Sequence, residues 1–212
     1  MIRAIVTVLT TLLVVCGAGH ANQSGSGAKH HVMTGASHGD DGVAITFADL
    51  QSTVEALKRA QSATEKYQDV RVAEADGYRV FGPYVAGMGF HYVNTRLARA
   101  GFDAEHPPIL LYEKDDDAAS RLRLVGVSYT LPLHAGDNEQ PLAAPFPRAL
   151  AAWHKHANIC LFANRSVGTK LTDVECIQQG GRFIAETDWM LHAWIWKDNP
   201  AGVFSPTNPE IH

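Results

Sequence analysis

The hydrophobic period changes once along this chain, and the change separates what can be helix from what can be sheet. From Phe47, apolar or small residues recur at Leu50, Val54, Leu57, Ala60, Ala63, Tyr67, Val70 and Ala73. Spacings of three and four put them on one side of a helix. Thr46, with Asp49 three residues on, has the form of a capping box, and Gly77 suits a helix end. The pattern predicts one long amphipathic helix, or two joined ones, whose role is packing. Beyond Tyr78 short apolar runs alternate with Gly, Pro and Asp clusters, the texture of strands and loops. Pro108 to Glu113 reads as a strand, Lys114 to Ser120 as a turn that solvates Asp115, Asp116 and Asp117, and Arg121 to Leu131 as the returning strand. Residues 132 to 147 contain four prolines and read as a loop. Trp153 to Phe162 reads as a further strand, and Phe183 to Trp196 fits either strand or helix. The tail from Asn199 is Pro-rich and irregular. The expected fold is α+β, with the long N-terminal amphipathic helix packed on an antiparallel sheet, Pro-rich loops and one disulfide.

The disulfide follows from the N-terminus. Met1-Ile2-Arg3 supplies one positive charge, Ala4 to Cys16 is apolar and uncharged, and small residues lead to Gly19-His20-Ala21. This is the layout of a secretory signal peptide, and the run is shorter than the ~20 residues a spanning helix needs. Leu13-Val14-Val15-Cys16 also resembles a lipoprotein cleavage site, although Val15 is bulkier than the residue normally found before the cysteine. Residues 1–21 are therefore read as signal peptide, 22–42 as a flexible polar tail carrying His30, His31 and His38, and 43–212 as a single globular metal-binding domain. The mature protein is expected to be secreted or periplasmic, with no stable membrane insertion after cleavage. Cys160 and Cys176 then remain as an even pair in an oxidising compartment, which predicts a disulfide. Their separation fits no common Cys-x-x-Cys metal motif. A formal net charge of -4 without a Lys/Arg run excludes the electrostatic footprint of a nucleic-acid binder.

The chemistry-bearing residues lie in the second half of the pattern. In a strand, residues i and i+2 share a face, so Trp153-His154-Lys155-His156 would project His154 and His156 together. His91 lies between Phe90 and Tyr92 in Gly87-Met88-Gly89-Phe90-His91-Tyr92-Val93-Asn94. His192 lies in the apolar run Trp189-Met190-Leu191-His192-Ala193-Trp194. An imidazole in such surroundings is costly unless its nitrogens are bonded or ligating, and for each the alternative is a core histidine satisfied by hydrogen bonds. Glu113 ends the run Ile109-Leu110-Leu111-Tyr112-Glu113, either facing inward as a ligand or exposed beside the aspartates. His91, Glu113, His154, His156 and His192 form the candidate metal set. A nitrogen-rich set suits a divalent transition metal, zinc first and copper second, with manganese or iron also compatible; calcium and magnesium prefer oxygen cages. Asp188, Asn158 and Tyr92 are candidates to orient the ligand imidazoles. His106, His134 and His212 read as solvent residues.

Taken together, Tyr67-x-Asp69, Asp76-Gly77-Tyr78, Gly87-Met88-Gly89-x-His91-Tyr92-Val93-Asn94, Leu111-Tyr112-Glu113, Leu124-Val125-Gly126-Val127, Trp153-His154-x-His156 and Trp189-Met190-x-His192-x-Trp194 resemble an uncharacterised family of secreted bacterial proteins. The resemblance runs from the middle of the long helix to Asn199-Pro200. It implies one exported domain with a histidine-rich centre and no established reaction. The ligand types also resemble those of cupins, but Glu113 and His91 precede the His-x-His pair here. The HExxH signature and the phosphate-binding glycine loop are not present.

Three functions remain open at this point. The first is an exported protein that binds the metal, its biological role unspecified. The second is a metal-dependent hydrolase or oxidoreductase that keeps one coordination position open. The third is a domain that binds a small-molecule ligand in a pocket lined by Tyr92, Trp153, Trp189 and Trp194.

Overall fold

A computed structural model describes residues 44–115, 118–132, 145–164, 166–169 and 171–212. The signal-peptide and tail readings, with His30, His31 and His38, fall outside the described residues, as do Asp116, Asp117 and His134. Helix α1 spans Phe47–Thr64 and starts with the capping box of Thr46 and Asp49. A 3-10 turn, Glu65–Gln68, joins it to α2, Val70–Ala75. Gly77, at φ 97°, ends α2, and the amides of Gly77 and Tyr78 return to the carbonyls of Glu74 and Ala73. A left-handed residue there costs glycine nothing.

The buried stripe of α1 differs from the one its large residues suggest. Thr53, Ala56, Ala60 and Thr64 are buried, whereas Phe47, Leu50 and Val54 are exposed. Small side chains let the helix axis come close to its neighbours. The threonine hydroxyls are satisfied without water, Thr53 donating to the carbonyl of Pro145 and Thr64 to that of Ala60.

The strands are β1 (Arg79–Val85), β2 (Gly89–Val93), β3 (Ile109–Asp115), β4 (Ala118–Leu131), β5 (Ala157–Leu161), β6 (Val167–Thr169), β7 (Arg182–Glu186) and β8 (Trp189–Ala193), with short helices α3 (Thr95–Ala100) and α4 (Asp173–Gln178). They form an antiparallel five-stranded sheet in the order β1-β2-β3-β4-β8 and an antiparallel three-stranded sheet in the order β6-β5-β7. The fold is therefore α+β. The ambiguous segment 183–196 is strand up to Ala193, broken between Glu186 and Trp189, and irregular from Trp194 on. The strand expected over Trp153 to Phe162 is shorter, because regular pairing begins only at Ala157 and Asn158 sits at φ 55°. The β3–β4 turn is tighter than expected: Asp115 belongs to β3, is buried and is held by Arg121.

The disulfide joins Cys160 on β5 to Cys176 on α4. Gly181 packs on it so tightly that a Cβ there would overlap Cys160 Sγ and lie 2.9 Å from Cys176 Sγ.

Alternation along β3 divides the core. Leu110 and Tyr112 join Tyr92, Val127, Tyr129, Leu191 and Trp153 in a cluster that includes Ala56, Tyr67 and Ala73 from the helices. Ile109 and Leu111 face the other way, with Val125, Trp194 and Ile211. Ile211 belongs to the C-terminal tail, which is irregular but tied down. The Gly87 amide donates to the Ile211 carbonyl, and Asn208 donates to that of Gly87. The second face is thereby covered from the β8 side to the β1–β2 turn.

Candidate metal centre

Register decides which polar side chains reach this second face. His91 pairs with Leu111, and His192 pairs with Ser128, which itself pairs with Ile109. Directly paired residues point to the same side of a sheet, so His91, Ser128 and His192 share the face of Ile109 and Leu111. The strands of His91 and His192 are separated by two others. A flat sheet would hold their backbones about 14 Å apart at the usual spacing. Their rings are nevertheless 5.8 Å apart, closed by the coiling of the sheet and the reach of both side chains. β6 also approaches β1, where Val167 packs against Gly82.

His154 reaches the same place by a different route. It forms an isolated antiparallel bridge with Met190, its amide donating to the Met190 carbonyl and its carbonyl accepting from the Met190 amide. That bridge sets His154 beside His192, two residues along β8, with rings 5.2 Å apart. His156 follows, its backbone held by Thr187, and its ring lies 5.2 Å from that of His154. Side-chain alternation thus pairs the two histidines although the segment is not a regular strand.

The ring spacings fit a shared ion. A metal ~2.0–2.1 Å from an imidazole nitrogen lies about 3.2 Å from the ring centre, so two such rings at a tetrahedral angle are about 5.2 Å apart. The donor atoms have not closed on a common point: no group of three or more His, Cys, Asp or Glu among the described residues is set ready to hold a metal ion.

The hydrogen bonds fix which nitrogen is free. His154 Nδ1 is 3.1 Å from the Ala152 carbonyl and His192 Nδ1 is 2.6 Å from that of Pro206. A carbonyl only accepts, so in both rings Nδ1 carries the hydrogen and Nε2 presents a lone pair. Both Nε2 atoms are buried and without a hydrogen-bond partner. Burial, reinforced by His156, pushes His91 down to about 4, and the Gly89 carbonyl beside it opposes the lowering. Burial also lowers His154 and His156. His192, wholly buried, is driven well below the usual histidine range by burial and then by His91 and His154, with the Pro206 carbonyl opposing. All four are therefore neutral near pH 7, the state that ligation requires.

Glu113 is buried as an inward-facing residue, but its oxygens are held elsewhere. Oε1 accepts from Arg123 and Oε2 from Lys197, each at 2.7 Å. Two cations leave it little reason to turn toward a metal. Tyr92, one residue from His91, points to the opposite face and stacks on Tyr112, while Asn158 and Asp188 are exposed. None of the three bonds a ligand imidazole in the hydrogen bonds described. Sequence reasoning missed Ser128, whose Oγ is wholly buried on the histidine face and has no hydrogen-bond partner. A polar residue in the apolar run Leu124 to Leu131 was the available signal. The aromatic set divides, with Tyr92, Trp153 and Trp189 in one cluster and Trp194 in the other.

Comparison with protein families, with curated proteins and with solved structures returned no match. The site is therefore read from its own geometry.

Proposed function

We propose that this is an exported protein whose domain binds one divalent transition metal, zinc first and copper second, through His91, His154, His156 and His192. The observation that carries the reading is the pair of buried Nε2 lone pairs on His154 and His192, each left without a partner while Nδ1 is held by a backbone carbonyl. A buried acceptor without a partner costs about 1–3 kcal/mol. A metal ion on Nε2 removes that cost, and the Nδ1–carbonyl bond is the usual support for a ligating imidazole. Ring spacings of 5.2 to 5.8 Å support a shared ion. Glu113 is left out of the set because Arg123 and Lys197 neutralise it.

The test is metal content and thermal stability of the secreted chain beside His154→Ala/His156→Ala. About one zinc or copper per chain, lost in the double variant, is the expected result. Any contribution from the tail histidines is common to both proteins and cancels in the difference. Equal metal content in the two proteins, or no thermal stabilisation of the wild type by zinc or copper, would overturn the assignment.

A further inference from the structure

The histidine set carries no charge, and this limits what else the site can hold. Four neutral imidazoles around a divalent ion leave a net charge of about +2 beside Ile109, Leu111, Val125 and Trp194. A buried charge without a counter-charge is expensive. Glu113 does not supply one, since both its oxygens are engaged by cations. Among the described residues, the interactions on the four imidazoles come from burial, from one another and from backbone carbonyls, and no carboxylate enters. None of the described carboxylates supplies the counter-charge, and an anion from solution would.

The structure also supplies a group to receive it. Ser128 Oγ is wholly buried, has no hydrogen-bond partner, and lies directly opposite His192 across the β4–β8 ladder. Paired residues in this position have their Cβ atoms about 4.5–5.5 Å apart. A hydroxyl there is within reach of a ligand on the metal. His91, His154 and His156 each keep part of their surface exposed, which gives small ions an approach from that side.

We infer that the metal bound at these histidines takes a small monovalent anion from solution, and that Ser128 donates a hydrogen bond to it. The inference rests on the metal-binding reading above and extends it to a fifth coordination position beside the four imidazoles.

The probe is azide on the cobalt-loaded full-length chain, followed by the visible absorption of the metal, with perchlorate at equal ionic strength as the control. Azide is expected to shift the cobalt bands saturably while perchlorate does not, and the shift should be absent from His154→Ala/His156→Ala. Ser128→Ala is expected to retain cobalt and its spectrum without azide, and to bind azide about tenfold more weakly or worse, the loss of one hydrogen bond to a charged group. A cobalt-loaded wild type that does not respond to azide would show a closed site and overturn the inference with the metal reading intact. Unchanged azide affinity in Ser128→Ala would overturn the assignment of the serine. Failure of the wild type to take up cobalt, zinc or copper would sink the metal reading itself. The wild-type azide arm decides the open position even if Ser128→Ala does not fold.

Discussion

In the metal-free domain the buried imidazoles should make stability fall as pH drops through the range where unfolded histidine titrates. His91 is lowered from 6.5 to about 4 by burial and by His156. Its folded-state value is depressed, so below pH ~6.5 the unfolded chain takes up a proton that the folded chain refuses. The stabilisation is complete above that pH and is lost as pH falls toward 4. For His91 alone the loss between about pH 7.5 and 5 is ~2 kcal/mol, rising to ~3 kcal/mol near pH 4. His154, His156 and His192 are shifted in the same direction. They interact with His91 and with one another, so their losses overlap and do not sum. The lowered carboxylates, Asp49, Asp69, Asp76, Asp103 and Glu175, lose their contributions only as pH falls toward and below their ordinary range. The interval from pH ~7 to ~5 therefore isolates the histidines. Urea unfolding of the chelator-treated chain across that interval, beside His91→Leu, measures the effect. The wild type should lose at least ~2 kcal/mol and the variant distinctly less. A wild-type stability that stays level from pH 7 to 5 would refute the claim that these rings are buried in the neutral form. With metal present the fall should begin at the same pH, where the unfolded histidines titrate, and continue to lower pH, because the ion keeps protons off the folded-state nitrogens.

Two further substitutions test the surroundings of the site. Glu113→Gln should cost about 1–3 kcal/mol in chemical denaturation, because Arg123 and Lys197 lose a buried counter-charge yet can rehydrate, and metal content should not change; loss of metal would return Glu113 to the ligand set. Gly181→Ala should lower thermal stability by about 1–3 kcal/mol, since the new Cβ overlaps Cys160 Sγ and presses on Cys176 Sγ; a neutral effect would mean that β7 and the disulfide are not packed as described.

Much of the strand pattern was legible because its cues are local. The β3–β4 hairpin follows from apolar runs on either side of an aspartate cluster. The capping box at Thr46 and the left-handed Gly77 are each set within a few residues. Parts of the glycine-rich motif around His91 prove to be structural. Gly89, at φ 82°, lies where a Cβ would overlap the Tyr112 carbonyl, and Asn94 caps α3 through the amides of Arg96 and Leu97. Other features were not legible because they depend on distant partners. The buried face of α1 is chosen by how closely small residues let it approach, and hydrophobicity alone ranks Phe47 and Leu50 above Thr53. The extra residue of β4 between Gly126 and Leu124 shifts the register of the hairpin, and it puts Val125 on the face opposite Leu124 and Val127.

The candidate ligands show the same division within a single site. Glu113 and His192 are both buried polar residues in apolar strands, and nothing in their flanking residues separates them. What separates them is whether their hydrogen-bonding capacity is used up. Glu113 meets Lys197, 84 residues away in sequence, and Arg123, so both its oxygens are matched. His192 meets the Pro206 carbonyl, 14 residues on, which occupies Nδ1 and leaves Nε2 bare. For His154 the carbonyl lies two residues back, at Ala152, so the chain beside it already fixes its ring. A fully matched buried group holds the fold together, whereas a buried lone pair fixed in place and left unmatched raises the energy of the folded chain until something binds it. By that criterion the proposed function places the histidines, with the unmatched hydroxyl of Ser128, on the ligand-binding side of this face, and Glu113 with its two cations among the groups that hold the fold.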